Sequence, residues 1–276
     1  MMKTLTSAAA LALAAATFAT PAATQSPAPA TLLERAAAGE GRNVEIQLRA
    51  DGRLLGVPFE LARGTMRAGL RGDAYTIDAS YRSSGFANDR NDQGDVTVRG
   101  AIRDGALRPV SYVSAEKTRK KRRIAINFGA SPVSVDVAPR WGQMGNPPAS
   151  EAMKRASVDP LTGLLELSLV TSRDNGQPCG GTVRIFDGKR VYDISTRFSG
   201  RTTVNTPGYS GPAVRCSGRY LAVAGFDEPG ARHDLTIWLA DVGNQGLSVP
   251  VRITGGNAIV SVALSATRVT VSPART

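Results

Sequence analysis

From Asn43 onward, apolar and polar residues alternate with a period of two along most of the chain. NVEIQL (Asn43–Leu48) alternates, and GVPFELARGTM (Gly56–Met66) reads as a strand with a proline at its start. AYTIDASY (Ala74–Tyr81) puts Tyr75, Ile77, Ala79 and Tyr81 on one face. DVTVRGAI (Asp95–Ile102) and LRPVSYVSAE (Leu107–Glu116) flank Asp104-Gly105, a pair that favours a tight hairpin turn. RRIAINF and PVSVDVA follow, separated by Gly129-Ala130-Ser131.

The alternation breaks at Pro139–Ser150, which reads as loop. Within the next stretch the pattern predicts one short helix near 159–170. Asp159 suits its N-cap, Pro160 its first helical position, and Leu161, Leu164, Leu165, Leu167 and Leu169 follow. Gly163 weakens it by up to ~1 kcal/mol relative to alanine. Strands then resume: GTVRIF and KRVYDIST around Asp187-Gly188, and further segments at Ala213–Val223, Asp234–Asp241, Val249–Thr254, Asn257–Leu264 and Arg268–Ser272, with Gly255-Gly256 as a turn. A dozen or more strands at 8–12-residue spacing around one helix predict an all-β fold: a sandwich, a barrel or a wrapped sheet. No repeat of constant period is present.

The N-terminus lies outside this pattern. Lys3 leads into an uncharged Ala/Leu-rich run, Ala8 to Ala19, followed by small residues and prolines. This is the layout of a signal peptide over residues 1–23, with cleavage expected near Thr20-Pro21-Ala22 or at Ala28-Pro29-Ala30. The run is too short to anchor in a bilayer, and no cysteine is present there for lipid attachment. A Pro/Ala-rich linker, 24–41, with a helical turn around Leu32–Ala38, then precedes a single β-rich domain, 42–274. The mature chain is expected to be soluble and exported.

Export gives meaning to the two cysteines, Cys179 and Cys216, which are expected to form one disulfide. A metal pair is the alternative, but two thiols and the single histidine, His233, cannot fill a zinc shell. Export also changes the reading of the net charge, +11. Six basic residues, Lys117, Arg119, Lys120, Lys121, Arg122 and Arg123, are anion-binding candidates at a hairpin tip. Outside the cytoplasm their partners would be anionic lipid, lipopolysaccharide or acidic glycan, not nucleic acid. The alternative is a solvated hairpin tip that discourages edge-to-edge association.

No catalytic constellation emerges. His233 has no G-x-S-x-G serine to serve. Asp227-Glu228 is explained by a turn, Asp187 by its hairpin, Asp193 by strand alternation and Asp159 by capping. NDRNDQGD (Asn88–Asp95) approaches a calcium loop but lacks the terminal glutamate. No cofactor and no metal is expected.

Two stretches, DPLTGLLELSL (Asp159–Leu169) and CGGTVRIFDGKRVYDI (Cys179–Ile194), followed by AVRCSGRYLAVAGF (Ala213–Phe226) and VPVRI (Val249–Ile253), resemble the exported proteobacterial proteins of domain-of-unknown-function family 3108. The likeness runs from about Gly56 to Val269. It implies a periplasmic, all-β domain with a mainly antiparallel, curved or wrapped, open barrel-like sheet, and no established activity. The expected function is a non-enzymatic binding or scaffold protein in cell-envelope maintenance, which could also engage an envelope protein partner. A carrier of a lipid or amphipathic ligand in a β-groove is one alternative; a glycan-active hydrolase or lyase is the other.

Overall fold

Thirteen strands follow one another as antiparallel neighbours in a single sheet that does not close into a barrel. The computed structural model describes residues 33, 36, 38–83, 92–118, 121–169, 179–242, 248–257 and 259–274. The strands are β1 (Arg42–Leu54), β2 (Val57–Arg71), β3 (Ala74–Ser83), β4 (Gln93–Arg103), β5 (Ala106–Glu116), β6 (Arg123–Asn127) and β7 (Ser134–Ala138). After helices α1 (Glu151–Arg155) and α2 (Pro160–Leu169) come β8 (Thr182–Phe186), β9 (Val191–Thr206), β10 (Tyr209–Ala224), β11 (Arg232–Asp241), β12 (Ser248–Gly256) and β13 (Val260–Pro273). The order is β7-β6-β5-β4-β3-β2-β1-β13-β12-β11-β10-β9-β8, so the first and last strands pair at the centre. The all-β expectation, with an open, curved sheet, holds.

Period-two alternation becomes one apolar face through register. Val44, Ala68, Ile77, Val98, Tyr112, Ile126 and Val135 lie directly opposite one another across β1 to β7. Ile46, Met66, Ala79, Val96, Ser114, Ile124 and Val137 form the next row. A one-residue slip would turn both rows to solvent, so the pattern fixes the pairing. Tyr75 lies opposite Gly100, and Tyr81 opposite Gly94; a Cβ on either glycine would meet the tyrosine ring, 2.2 Å and 2.6 Å away.

Helix α2 fills the curl of the sheet. Leu165 and Leu169 join the larger cluster, which spans β1 to β6 and continues through β8 to β13, while Leu167 joins Cys179, Val183, Ile185, Cys216, Ile237 and Leu239. A helix apolar on opposite sides has to be enclosed, and here the two halves of the sheet enclose it. Gly163 has its reason in the same packing: a Cβ there would stand 2.7 Å from Ile185 Cδ1. Within the stretch expected as linker, Leu33 and Ala36 are helical and buried in the first cluster.

Some local expectations shift. Asp104 and Gly105 do form the tight turn, with φ of 52° and 64°. The Asp187-Gly188 connection runs four residues instead of two, because Asp187 Oδ1 accepts from the backbone N–H of Lys189 and Arg190. Likewise the turn expected at Gly255-Gly256 moves to Asn257, whose Oδ1 accepts from the N–H of Ile259 and Val260. A separate helix, α1, is capped by Ser150, which accepts from Met153 N. The hairpin β9–β10 extends through SGRTTVNTPGYSGP, a stretch with no alternation to reveal it, and its Gly208 N–H donates to Ala266 O of β13. The outermost strands, β7 and β8, are five residues each, and Val158 pairs with β8 beside Ile185. Short, partly covered edges limit association between sheets.

Candidate functional site

A cavity of about 220 Å³ lies between the inner face of the sheet and α2. Leu48, Ala50, Ala62 and Ala79 form its sheet wall, and Leu161 and Leu164 its helix wall. The small side chains on β1 to β3 leave the space that larger ones would fill. Tyr81, exposed at the rim, has its phenol held above the usual range by partial burial. Above the cavity the inner face stays apolar: Leu264 and Ala50, then Val262 and Gly52, then Val260 and Leu54 are opposite pairs that lead outward to the ends of β1 and β13.

The position of α2 rests on Asp159. Its Oδ1 accepts from the N–H of Leu161 and Thr162, both at 3.0 Å, and its Oδ2 accepts from the Thr162 hydroxyl at 2.5 Å. Thr162 Oγ1 lies 2.8 Å from the Tyr75 hydroxyl on β3, tying helix to sheet. Asp159 is fully buried, and desolvation raises its pKa against the opposing hydrogen bonds. Burial likewise raises the Tyr75 phenol.

On the outer face, behind the cavity, a groove of about 560 Å³ is cationic. Arg49, Arg63 and Arg82 stand opposite one another on β1, β2 and β3, with Gln93 next on β4. Like charges placed directly opposite are unfavourable unless countered. Arg49 pairs with Asp51 at 2.9 Å, and Arg63 with Glu60 through two contacts of 2.8 Å, whereas among the described residues Arg82 donates to the Gln93 amide oxygen at 3.4 Å. This arginine row was not legible in the sequence, because register alone brings its members together.

The basic run does occupy a hairpin tip, between β5 and β6. Lys117 is ion-paired with Asp95, and Arg123 lies 3.3 Å from Asp136. Arg122 stacks over Trp141 at 3.9 Å and donates to Pro139 O. Lys121 is exposed, with a φ of 48°. Arg119 and Lys120 lie outside the described residues. Much of the run's charge is therefore countered locally or held against an aromatic ring.

Cys179 and Cys216 are bonded, with their Cα atoms 5.9 Å apart, and join the segment just before β8 to β10 within the second apolar cluster. His233 is exposed near the start of β11, opposite Tyr220. Asp193 makes a two-pronged pair with Arg184, both contacts 2.8 Å. The loop Asn88–Asp95 lies partly outside the described residues, and the signal-peptide segment wholly so. Among the described residues no group of three or more His, Cys, Asp or Glu is placed to hold a metal ion, and no helix is long and apolar enough to cross a membrane.

No curated protein matches the sequence. Among solved structures, a candidate exported protein with a YmcC-like fold from Bacteroides fragilis is 14% identical, with 82% of this chain and 95% of that one covered and a TM-score of 0.37. A candidate lipoprotein from Parabacteroides distasonis is 10% identical, with 84% and 95% covered and a TM-score of 0.35. A family model described as "Protein of unknown function (DUF3108)" matches residues 47–258. That match spans well over half of the sequence, and the chain belongs to the DUF3108 family of proteins of unknown function.

Proposed function

We propose that the chain is an exported, non-catalytic binding protein that holds the acyl part of an amphiphile against the inner face of its curled sheet. The observation that carries this reading is the apolar cavity under α2, continuous with an apolar strip running to the rim. At about 30 Å³ for a water-sized group, its 220 Å³ takes a segment of roughly seven such groups. Each methylene buried there contributes about 0.8 kcal/mol before the costs of association. The remainder of a longer chain would lie along Ala50, Val262 and Leu54, with its polar end beyond the open ends of β1 and β13. The leader sequence and the paired cysteines support export into an oxidising compartment.

The test is a titration with a fluorescent fatty acid whose emission rises in apolar surroundings. Saturable binding is expected, weakened about tenfold or more in Ala79→Phe, which fills the cavity from β3. Ala62→Phe, on the neighbouring strand, gives the same result if either variant packs poorly. Absence of saturable binding, or binding unchanged in both folded variants, overturns the proposal.

A further inference from the structure

The hairpin tips β1–β2 and β12–β13 stand side by side, joined by the bond from Leu55 N–H to Ile259 O. Six large apolar residues are exposed on them: Leu54, Leu55, Val57, Ile259, Val260 and Val262. Leu55 is 75% exposed, Val57 66% and Ile259 58%. No charged residue occurs between Arg53 and Glu60, or between Arg252 and Arg268. Exposed apolar side chains are ordinary when scattered, but six contiguous ones on adjoining tips form a patch that needs a partner.

Charge identifies that partner. Arg53 is exposed at the base of the first tip, on the outer face. The row Arg49, Arg63 and Arg82 lies about 17 Å behind Leu54, at ~3.3 Å per strand residue. The Lys117–Arg123 hairpin leaves the same edge of the sheet: Leu48, Gly64, Tyr81, Gly94 and Glu116 form one row, from which β1 continues outward to Leu54 and β5 turns into the basic hairpin. β1 runs six residues, about 20 Å, past that row to Leu54, so the apolar tips reach well beyond the described end of β5 at Glu116. The headgroup layer of a bilayer is about 5–8 Å thick on each side. An apolar leading edge long enough to cross that layer, with cations behind it, matches an anionic lipid surface. A second copy of this +11 chain would bring like charge to like.

We propose that the paired tips dip into the surface of a lipid bilayer bearing anionic headgroups, which Arg53, Arg82 and Lys121 meet from behind. The inner apolar strip then opens at the bilayer, giving an acyl chain a water-free path to the cavity under α2. That last step rests on the binding reading above, whereas the docking does not.

Flotation with vesicles of mixed phosphatidylcholine and phosphatidylglycerol tests the docking. The wild-type chain floats at low salt and less at high salt. Val57→Glu combined with Ile259→Glu, both on exposed side chains, lowers partitioning about tenfold or more with no change in melting. Arg82→Gln lowers it less and flattens the salt dependence. Ala79→Phe floats like wild type, so loss of probe binding with intact flotation removes the cavity reading alone. Docking is overturned if the wild type stays with the vesicle-free fraction, if the double glutamate variant floats equally well, or if the tips prove to join two copies, seen as a dimer that the double variant converts to monomer without any vesicle binding.

Discussion

Replacing Asp159 by asparagine separates the two forces acting on the carboxyl that seats α2. Three hydrogen bonds favour its charged form, two from backbone N–H groups and one from Thr162, while complete burial favours the neutral one. Burial is the larger effect, so the folded-state pKa stands above the unfolded value of about 3.9. The neutral form's contribution to stability is therefore fully present below that value and is lost as the pH climbs through the folded pKa. Asparagine caps helices as well as aspartate does and does not titrate. Asp159→Asn should gain on the wild type between pH ~4 and pH ~7, because only the wild type loses stability as the buried carboxyl ionises. Asp159→Ala loses the cap, about 1 kcal/mol, and leaves buried donors on Thr162 and α2 unpaired, a further 1–3 kcal/mol or so. Urea denaturation of the three proteins at both pH values measures these differences, and every other titrating group cancels between them. A wild type that gains on the asparagine variant as pH rises would show that the hydrogen bonds and helix dipole outweigh desolvation, the opposite of what burial at this position requires.

Three further outcomes are expected. Cys179→Ser should lower the melting temperature by about 10 °C, from the ~4 kcal/mol that closing a loop of 37 residues contributes; melting that is the same with and without reductant would contradict it. Gly225→Ala should cost about 2 kcal/mol or more in denaturant unfolding, because φ is +78° and the added Cβ would lie 2.1 Å from Lys189 O; a wild-type midpoint would show that the turn relaxes freely. A variant neutralised across Lys117–Arg123 should fold normally and lose part of its salt-sensitive adsorption to anionic vesicles, with Arg82 supplying the remainder; unchanged adsorption would assign the hairpin to solvent.

Period-two alternation carried the architecture. The rows through Ile77 and Ala79 are the residues that AYTIDASY places on one face, and Asp159-Pro160 marks the start of α2 as capping chemistry requires. The paired far halves of β9 and β10 were hidden, because SGRTTVNTPGYSGP does not alternate, although Val204 and Tyr209 in it pack on the core. Turn positions slipped where the side chain of Asp187 or Asn257, not the neighbouring glycine, organised the bend. The site was legible only in part. The basic run is conspicuous in one dimension, yet Asp95, Asp136 and Trp141 answer much of its charge in three. The arginine row and the paired apolar tips are invisible in one dimension, since their members come from strands joined only by register. The small residues Ala50, Ala62 and Ala79 read as ordinary strand positions until α2 is laid across them.

Whether the cavity under α2 holds an acyl chain is best decided by native mass spectrometry of the full chain, purified without detergent from the exported fraction of expressing cells. A lipid-sized mass increment is expected on the wild type and not on folded Ala79→Phe. A bare mass for both proteins, or the same increment on both, would mean that the cavity is not a lipid site.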